Sequence, residues 1–376
     1  MSSHYFFSID EARKLAKKRL PRLVFDFIDG AAGDEIGNFD NQKALQSIKL
    51  QPRILIDVMD RVLTKKVLGW EFSLPFGIAP MGMCNLSWPN ADRSLAIEAE
   101  KRNIPHILSS AGSSTLEVHK SRAGDCAWFQ MYVGQSIEFA DELTDRASAA
   151  GYKVLVITVD TPVVTRRIRD QRNGFTMPFK IGPKQFFDFA CHPHWSIASI
   201  IAGIPKPENF SLSKHTKGFV RGESRAGTDW VFLKRLRERW PFKLIVKGVT
   251  CSDDAARLKS IGIDGIYISN HGGRQLASVP PAISLLPRIR LAVGSDYPLF
   301  FDSGIRSAED ILKAIALGAD FVFLGRPFMF ALGADGRRGV ITLIEQLTED
   351  LSSGLAQLGL KSMETVDHRV LFNQGV

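Results

Sequence analysis

The sequence predicts an α/β protein built as a parallel (β/α)8 barrel, a TIM barrel, with an N-terminal helical lead-in and a long loop after strand 4. Three observations predict it. Eight short apolar runs alternate with helix-period segments between Pro75 and Arg326. Each run ends in polar or glycine residues, as barrel strands do at the rim that carries the site. The length of 376 residues, 45% of them hydrophobic, suits one large barrel core of roughly 250–400 residues. The same alternation fits a doubly wound open sheet. Eight units with polar ends all round favour closure.

The lead-in reads as two helices over 8–28. Ser8 is placed to cap the first, with Glu11 at the capping-box position. Leu15, Leu20, Leu23, Val24, Phe27 and Ile28 form the apolar stripe. Pro21 divides the stripe, and Gly30 and Gly33 end it. Residues 48–63 read as irregular chain or short strands that cap one end of the barrel.

The eight strands are expected at 76–80, 106–109, 128–132, 154–160, 243–247, 265–269, 299–302 and 321–325. Helical patterns fall at 91–102, 115–120, 136–150, 252–261, 280–293 and 307–317. Residues 1–376 then form a single barrel domain, with 165–225 as a basic, aromatic insertion.

The strand ends carry the chemistry. They are Pro80-Met81-Gly82, Ser109, Gln130 with Tyr132, Thr158 with Asp160, Lys247, Ser269 with His271, Asp302-Ser303-Gly304, and Gly325-Arg326. Eight ends converging on hydrogen-bonding residues suggest a large polar ligand over the rim. Asp302-Ser303-Gly304-Ile305-Arg306 and Gly325-Arg326 occupy the loops where barrels commonly seat a phosphate, and two arginines suit that anion. Two glycine turns with surface arginines would read the same way. No GxGxxG follows an early strand and no GxxxxGK[ST] occurs, so neither a dinucleotide fold nor a P-loop is indicated.

The turn Asn270-His271-Gly272-Gly273-Arg274 is the sharpest point. A histidine exchanges protons near neutral pH, and an arginine presents a fork that matches a carboxylate. Base plus clamp at a strand end suits chemistry on a small organic acid. Taken alone, HGGR fits a glycine turn with a surface histidine equally well.

Net charge is +8, with a pI near 9.3. It is concentrated between Thr165 and Arg225, where 11 Lys and Arg face 4 Asp and Glu. Aromatic and aliphatic residues interleave there, including Phe175, Phe179, Phe186, Phe187, Phe189 and Trp195. That mixture suits an anionic membrane surface reached through 177–215, a lid, or a subunit interface. Nucleic acid fits less well, because no recognition motif accompanies the charge. Cys84, Cys126, Cys191 and Cys251 lack paired spacing and read as reduced thiols of a cytoplasmic protein, with peripheral contact on the inner face of the cell membrane as a further expectation. No signal-peptide core or spanning run is seen, and no metal is expected.

The motifs LPRLVFDF, RILIDV, IAPMG, WFQMY, TVDTP, IVKGV, SNHGGRQL, DSGIRS and ALGADFVFLGRP stand in order from Ser8 to about Val366. With them the chain resembles the FMN-dependent L-2-hydroxy acid oxidase and dehydrogenase family, which includes glycolate oxidase and the L-lactate and mandelate dehydrogenases. The His192-Pro193-His194-Trp195 segment resembles the bacterial membrane-associated lactate dehydrogenases. The resemblance implies that FMN is the cofactor. Pro80, Met81, Gly82, Ser109, Gln130, Thr158, Lys247 and Ser269 would surround its ring and ribityl chain. Asp302, Ser303, Gly304, Arg306, Gly325 and Arg326 would hold the ribityl end and phosphate. His271 would take a proton from the substrate, steadied by Asp160. Arg274 and Arg167 would grip the carboxylate, and Tyr132 would contact the hydroxyl. A homo-oligomer, a tetramer by resemblance, is implied as well.

Three positions qualify that picture. Phe27 stands where the family usually has a tyrosine, and Ala111 where glycolate oxidase has a tryptophan, so the pocket is roomier. Gly82 stands where the oxidases usually carry alanine, which leans toward a quinone or other acceptor over O2. A soluble oxidase releasing H2O2 is the alternative. Two others are an aldolase using Lys247 as a Schiff-base lysine and a flavin-binding scaffold without activity. Removal of the proton from Cα or from the hydroxyl stays open.

Overall fold

In the computed structural model, which describes residues 6–132, 136–176, 181–216 and 227–372, eight parallel strands close into a barrel. They are β1 (Phe76–Ile78), β2 (His106–Ser109), β3 (Ala127–Tyr132), β4 (Val154–Thr158), β5 (Lys243–Val249), β6 (Gly265–Ile268), β7 (Leu299–Phe301) and β8 (Phe321–Leu324). They pair in chain order, and β8 closes on β1 with Val322 opposite Phe76 and Leu324 opposite Ile78. The open-sheet alternative is thereby excluded.

Period-two alternation explains the interior. Trp128, Val156, Ile245, Tyr267, Phe300, Phe321 and Phe323 point inward and pack together. Phe129, Met131, Leu155, Ile157, Leu244, Val246, Ile266 and Ile268 belong to the outer core under the helices. Two missing side chains make room for the inner rings. A Cβ on Gly77 would come within 2.7 Å of the Phe323 ring, and one on Gly265 within 2.8 Å of Phe300. Two residues beyond this aromatic layer, the same inward face delivers Gln130, Thr158, Lys247, Ser269, Asp302 and Gly325 to the rim. The pleat itself therefore converts a hydrophobic floor into a polar top.

The lower end is closed by a short antiparallel hairpin, Lys65–Val67 with Trp70–Phe72, absent from the sequence expectation. Phe72 meets Trp128 and Phe321 edge-on at 6.2 and 5.6 Å. The chain before it, 48–64, is irregular as expected.

The lead-in forms α1 (Ile9–Arg19) and α2 (Arg22–Asp29), divided at Pro21. Ser8 Oγ accepts the Glu11 N–H at 3.1 Å, whereas Glu11 returns its carboxylate to Phe7 N–H rather than to Ser8. A third helix, α3 (Ile36–Ser47), follows. It carries no apolar stripe to announce it, since its buried residues are Gly37, Asn41 and Leu45.

The connection from β4 to β5 contains short helices, among them α4 (Pro183–Ala190) and α5 (Pro193–Ala202). Phe179 and the basic run 217–226 lie outside the described residues. The other aromatics divide. Phe175, Trp195 and Phe210 are buried, while Phe186 and Phe187 are exposed with Ile197, Ile200, Ile201 and Ile204. Trp195 is tied down by Nε1–H donating to Leu86 O at 2.9 Å. Among the described residues no helix is long and apolar enough to cross a membrane. After β8 the chain enters α6 (Arg326–Gln357), kinked at Asp335 and Gly336. Gly333 lets α1 approach it closely, since a Cβ there would lie 2.7 Å from Leu20 and 3.0 Å from Ala16.

Candidate active site

The rim encloses a cleft that opens to solvent. Thirteen of the residues expected at the site line it directly, from Pro80, Met81 and Gly82 on β1's exit to Gly325 and Arg326 after β8. Ser109, Gln130, Thr158 and Ser269 lie just beneath, all buried. Strand register sets their order, with Ser109 beside Gln130 and Thr158 beside Lys247.

A charged knot forms the floor. Lys247 Nζ donates to Ser269 Oγ at 2.7 Å and pairs with Asp302 at 3.2 Å. Ser269 Oγ donates to Asp302 Oδ1 at 2.5 Å, and Ser303 Oγ reaches the same oxygen at 2.8 Å. Burial alone would drive the Lys247 ammonium toward neutrality, but Asp302 and Asp160 outweigh it and raise its pKa. A lysine held protonated is a fixed cation and a poor nucleophile, so the Schiff-base aldolase has no support.

At the β7–β8 side, Arg306 and Arg326 stand without a described carboxylate partner. Arg326 spends its nitrogens on the carbonyls of Ile28, Gly30 and Gly272, and Arg306 bonds Ile305 O. Burial pushes their guanidiniums down to about 9 and about 10 respectively, so an anion between them would restore both. Ser303 and Gly304 bring positive φ values of 87° and 96°, which bends the loop into a cradle. A Cβ on Gly304 would lie 3.0 Å from Asn41. The N-terminus of α6 has no side-chain cap, leaving its first N–H groups and dipole toward this cradle.

Above the floor, His271 Nδ1 and Asp160 Oδ1 are 3.0 Å apart. Nδ1–H donating to the carboxylate leaves Nε2 as an acceptor. Burial lowers the imidazole's pKa, Asp160 opposes that, and Lys247 and Arg167 add to the lowering. The ring is thus neutral near pH 7 and able to take a proton. Asp160 can approach because Gly248 has φ 101° and no side chain; a Cβ there would meet the Asp160 carboxyl carbon at 2.6 Å. Tyr132 and Arg274 line the cleft. Arg274 donates to the α2 carbonyls of Phe27 at 2.9 Å and Gly30 at 2.7 Å. Arg167 sits where the chain bridges to Gly33. Asp160 and Arg167 are not part of the cleft wall itself.

Two groups were not anticipated. Asn41 on α3 and Asn270 exchange a pair of side-chain hydrogen bonds at 2.9 and 2.8 Å, and Asn270 Oδ1 also accepts Gly273 N–H, which fixes the HGGR turn. Arg169 gathers Asp29, Asp26 and Glu35 at 2.8, 3.2 and 2.5 Å and locks the insertion onto the end of α2. Neither shows in the sequence, because polar residues in a helix and a basic run look solvated until packed.

The rim thus defines the class of a barrel that offers an anion cradle at Arg306 and Arg326 and a histidine–carboxylate pair at His271 and Asp160. The family model for FMN-dependent dehydrogenase matches residues 16–373. The chain is 36% identical to (S)-mandelate dehydrogenase of Pseudomonas putida, covering 100% of this chain and 96% of that one. It is 34% identical to L-lactate dehydrogenase of Pseudomonas syringae pv. syringae over 97% and 98%. It is 35% identical to L-lactate oxidase of a Nostoc species over 95% of each. A crystal structure of the monotopic membrane protein (S)-mandelate dehydrogenase superimposes with a TM-score of 0.93 at 37% identity, covering 98% and 100%. The chain therefore belongs to the FMN-dependent dehydrogenase family, oxidoreductases that use FMN to act on the CH–OH group of 2-hydroxy acids. Its site fits that cofactor. The two arginines and the uncapped α6 suit the phosphate, and Gln130 Oε1 is a buried acceptor without a partner, suited to a ring N–H.

Proposed function

We propose that this protein oxidises the (S) form of a 2-hydroxy acid with a side chain larger than methyl, an aryl acid such as mandelate, and passes the electrons to a membrane quinone. The observation that carries the catalytic reading is the His271–Asp160 pair at the mouth of the cleft. His271 Nε2 takes the substrate proton, and Asp160 stabilises the imidazolium that results. Arg274 and Arg167 fix the substrate carboxylate, which turns Cα toward the cofactor, and Tyr132 holds the hydroxyl. Pro80, Met81, Gly82, Ser109, Gln130, Thr158, Lys247 and Ser269 hold the ring and ribityl chain. Asp302, Ser303, Gly304, Arg306, Gly325 and Arg326 hold the ribityl end and phosphate. FMN, when bound, supplies the two-electron sink.

The substrate reading rests on the apolar wall. Phe27 lines the cleft and stacks flat on Phe175, with centroids 4.5 Å apart and planes at 3°. Ala111 is a small neighbour of Gly82. An aromatic substituent would find a ring to pack against and space beside it. The acceptor reading rests on Gly82, on the exposed apolar faces of α4 and α5, and on the monotopic neighbour. We place the protein peripherally on the cytoplasmic face of the membrane through 177–215, as a homo-oligomer. The oxidase relative supports a second reading, with O2 as acceptor.

The test is anaerobic mixing of the yellow protein with (S)-mandelate, (R)-mandelate, L-lactate and glycolate, followed by air or quinone. (S)-Mandelate should bleach fastest and quinone should restore the colour. Glycolate as the fastest substrate would defeat the aryl reading, and rapid return in air alone would select the oxidase.

A further inference from the structure

Beside the active-site cleft, and opening to the apolar surface of α4 and α5, lies a second concavity. It is a groove of about 1460 Å³ walled by Leu23, Val24, Phe186, Phe189, Trp195 and Ile204, among others. It runs into a smaller polar pocket of about 550 Å³, lined by Asn85, Ser113 and Ser199 and sharing Ser199 and Ile204 with the groove. Ser113 Oγ and Ser199 Oγ are both buried without a hydrogen-bond partner. Directly behind Ser113 stands Asp92, 2% exposed, whose Oδ2 accepts the Ser113 N–H at 2.6 Å. An apolar trough ending in unsatisfied hydroxyls is the shape of a site for an amphiphile with a polar head.

Its position selects the amphiphile. Leu23 and Val24 of α2 face the groove, while Phe27 and Ile28, one turn further on, face the active-site cleft. One helical turn is about 5.4 Å. On the other side, Met81 and Gly82 line the cleft, Asn85 lines the polar pocket and Leu86 lines the groove. The two sites thus share walls. The groove also opens among exposed Ile197, Ile200 and Phe186, where a bilayer-dissolved molecule could enter without crossing water.

We propose that groove and polar pocket together seat the electron acceptor, a quinone with an isoprenoid chain, its tail between α2, α4 and α5 and a ring oxygen against Ser113 and Ser199. The inference rests on the quinone reading above. The substrate loses two electrons and two protons, and the quinone gains two of each to become the quinol, so no further oxidant or reductant is needed. Both protons that the quinone oxygens take up come from solvent through the polar pocket, whose wall carries the buried, unpartnered Ser113 and Ser199 hydroxyls. Asp92 acts only through Ser113, whose backbone N–H it accepts. Burial pushes the Asp92 carboxyl up to about 6, against the opposing bonds from Cys84 and Ser113.

The test uses the full-length holoprotein in detergent micelles, where membrane docking plays no part. Flavin reduced anaerobically by substrate is re-oxidised with a decyl-chain benzoquinone or with ferricyanide. Ala190→Trp, which narrows the groove, and Ser199→Ala should each slow quinone re-oxidation at least tenfold and leave ferricyanide re-oxidation unchanged. Ile201→Ser, outside the groove, should change neither. An azidoquinone should photolabel 82–90 and 183–205, and label in Ala190→Trp should fall to background. Wild-type quinone kinetics in both variants, or label confined elsewhere, overturns the site while leaving the quinone reading intact. A wild-type protein that ignores quinone yet is re-oxidised by air overturns both. Tightly bound phospholipid that quinone does not displace also overturns the site, making the groove a lipid seat.

Discussion

The two ends of one barrel obey opposite rules. At the hairpin end, inward residues are aromatic and dry, with Trp128 against Phe300 at 5.6 Å and 88° and Tyr267 against Phe323 at 5.2 Å. At the other end, the same strands present Lys247, Ser269 and Asp302, bonded to one another, and Gln130, bonded to Thr158. The aromatic end stabilises by volume and tolerates no charge. The polar end costs stability, since buried charges are desolvated, and is held by the ion pair and hydrogen bonds among Lys247, Ser269 and Asp302. The lesson is that function was placed two residues past the packed layer, where the pleat still aims side chains inward.

The comparison breaks most visibly at His271. His271→Gln should keep FMN bound and lower the rate of anaerobic bleaching by roughly 10²–10⁴-fold, the range for a positioned general base, with little change in melting temperature. Bleaching within threefold of wild type would remove His271 as the base. Asp160→Asn should act more mildly in the same assay. It should also move the pH dependence of bleaching to lower pH, because the imidazole loses the carboxylate that raises its proton affinity.

The aromatic end should respond in the opposite sense. Trp128 is 1% exposed, and Trp128→Ala should cost roughly 3–5 kcal/mol in denaturant unfolding. The protein that remains folded should bleach at near the wild-type rate. A loss of bleaching without a loss of stability would show the two ends to be coupled, and the contrast would fail.

Much of this division is legible in the chain. Trp128-Phe129-Gln130-Met131-Tyr132 already shows the inward series Trp, Gln, Tyr, and Gly265 to Ser269 shows Tyr267 followed by Ser269. What is hidden depends on contacts without periodicity. Helix α3 buries Gly37 and Asn41 instead of an apolar stripe, and its value lies in fitting under Gly273, where a Cβ would come within 2.4 Å of Asn38 N. The hairpin under the barrel has three-residue strands, too short for an alternation signal. Composition also does not sort the aromatics of the insertion, for Trp195 of the HPHW segment is buried against Leu86 while Phe186 and Phe187 are exposed, because an indole supplies its own N–H to satisfy a carbonyl in the core.

A third buried group lies between the helices and the barrel wall. His119 Nε2 meets His106 Nδ1 at 3.0 Å, and His119 Nδ1 meets the Tyr152 hydroxyl at 2.7 Å. Burial pushes His106 down to about 3 and His119 well below its ordinary value. The unfolded chain therefore binds protons near pH 6.5 that the folded chain refuses, and stability should fall as pH drops below about 6.5, by about 1.4 kcal/mol per pH unit for each imidazole. Asp92 works the other way, since its raised pKa means that the folded state binds a proton first between about pH 6 and 4. The net slope over that interval should be near one proton. Melting temperatures from pH 7.5 to 5 check the sign, and His119→Gln should flatten the slope. A protein equally stable at pH 5 and 7.5 would show these rings are not held neutral.

The smallest expected effect sharpens the comparison at its boundary, where an aromatic ring enters the polar rim. Phe27 stacks on Phe175 and lies 5.4 Å below the Arg274 guanidinium, so its ring belongs to the packed layer and its edge to the cleft. Phe27→Tyr adds one hydroxyl at that edge without removing the stack. If it reaches a substrate carboxylate, the gain is that of one hydrogen bond to a charged group, about 1.5–3 kcal/mol at most, and less where the arginines already satisfy the anion. L-Lactate, with little side chain to pack, should then show a several-fold lower KM, whereas (S)-mandelate, positioned by ring contact, should change by less than twofold. An equal change for both acids would mean that the wall does not sort substrates by their side chains, and the aryl reading would lose its structural basis.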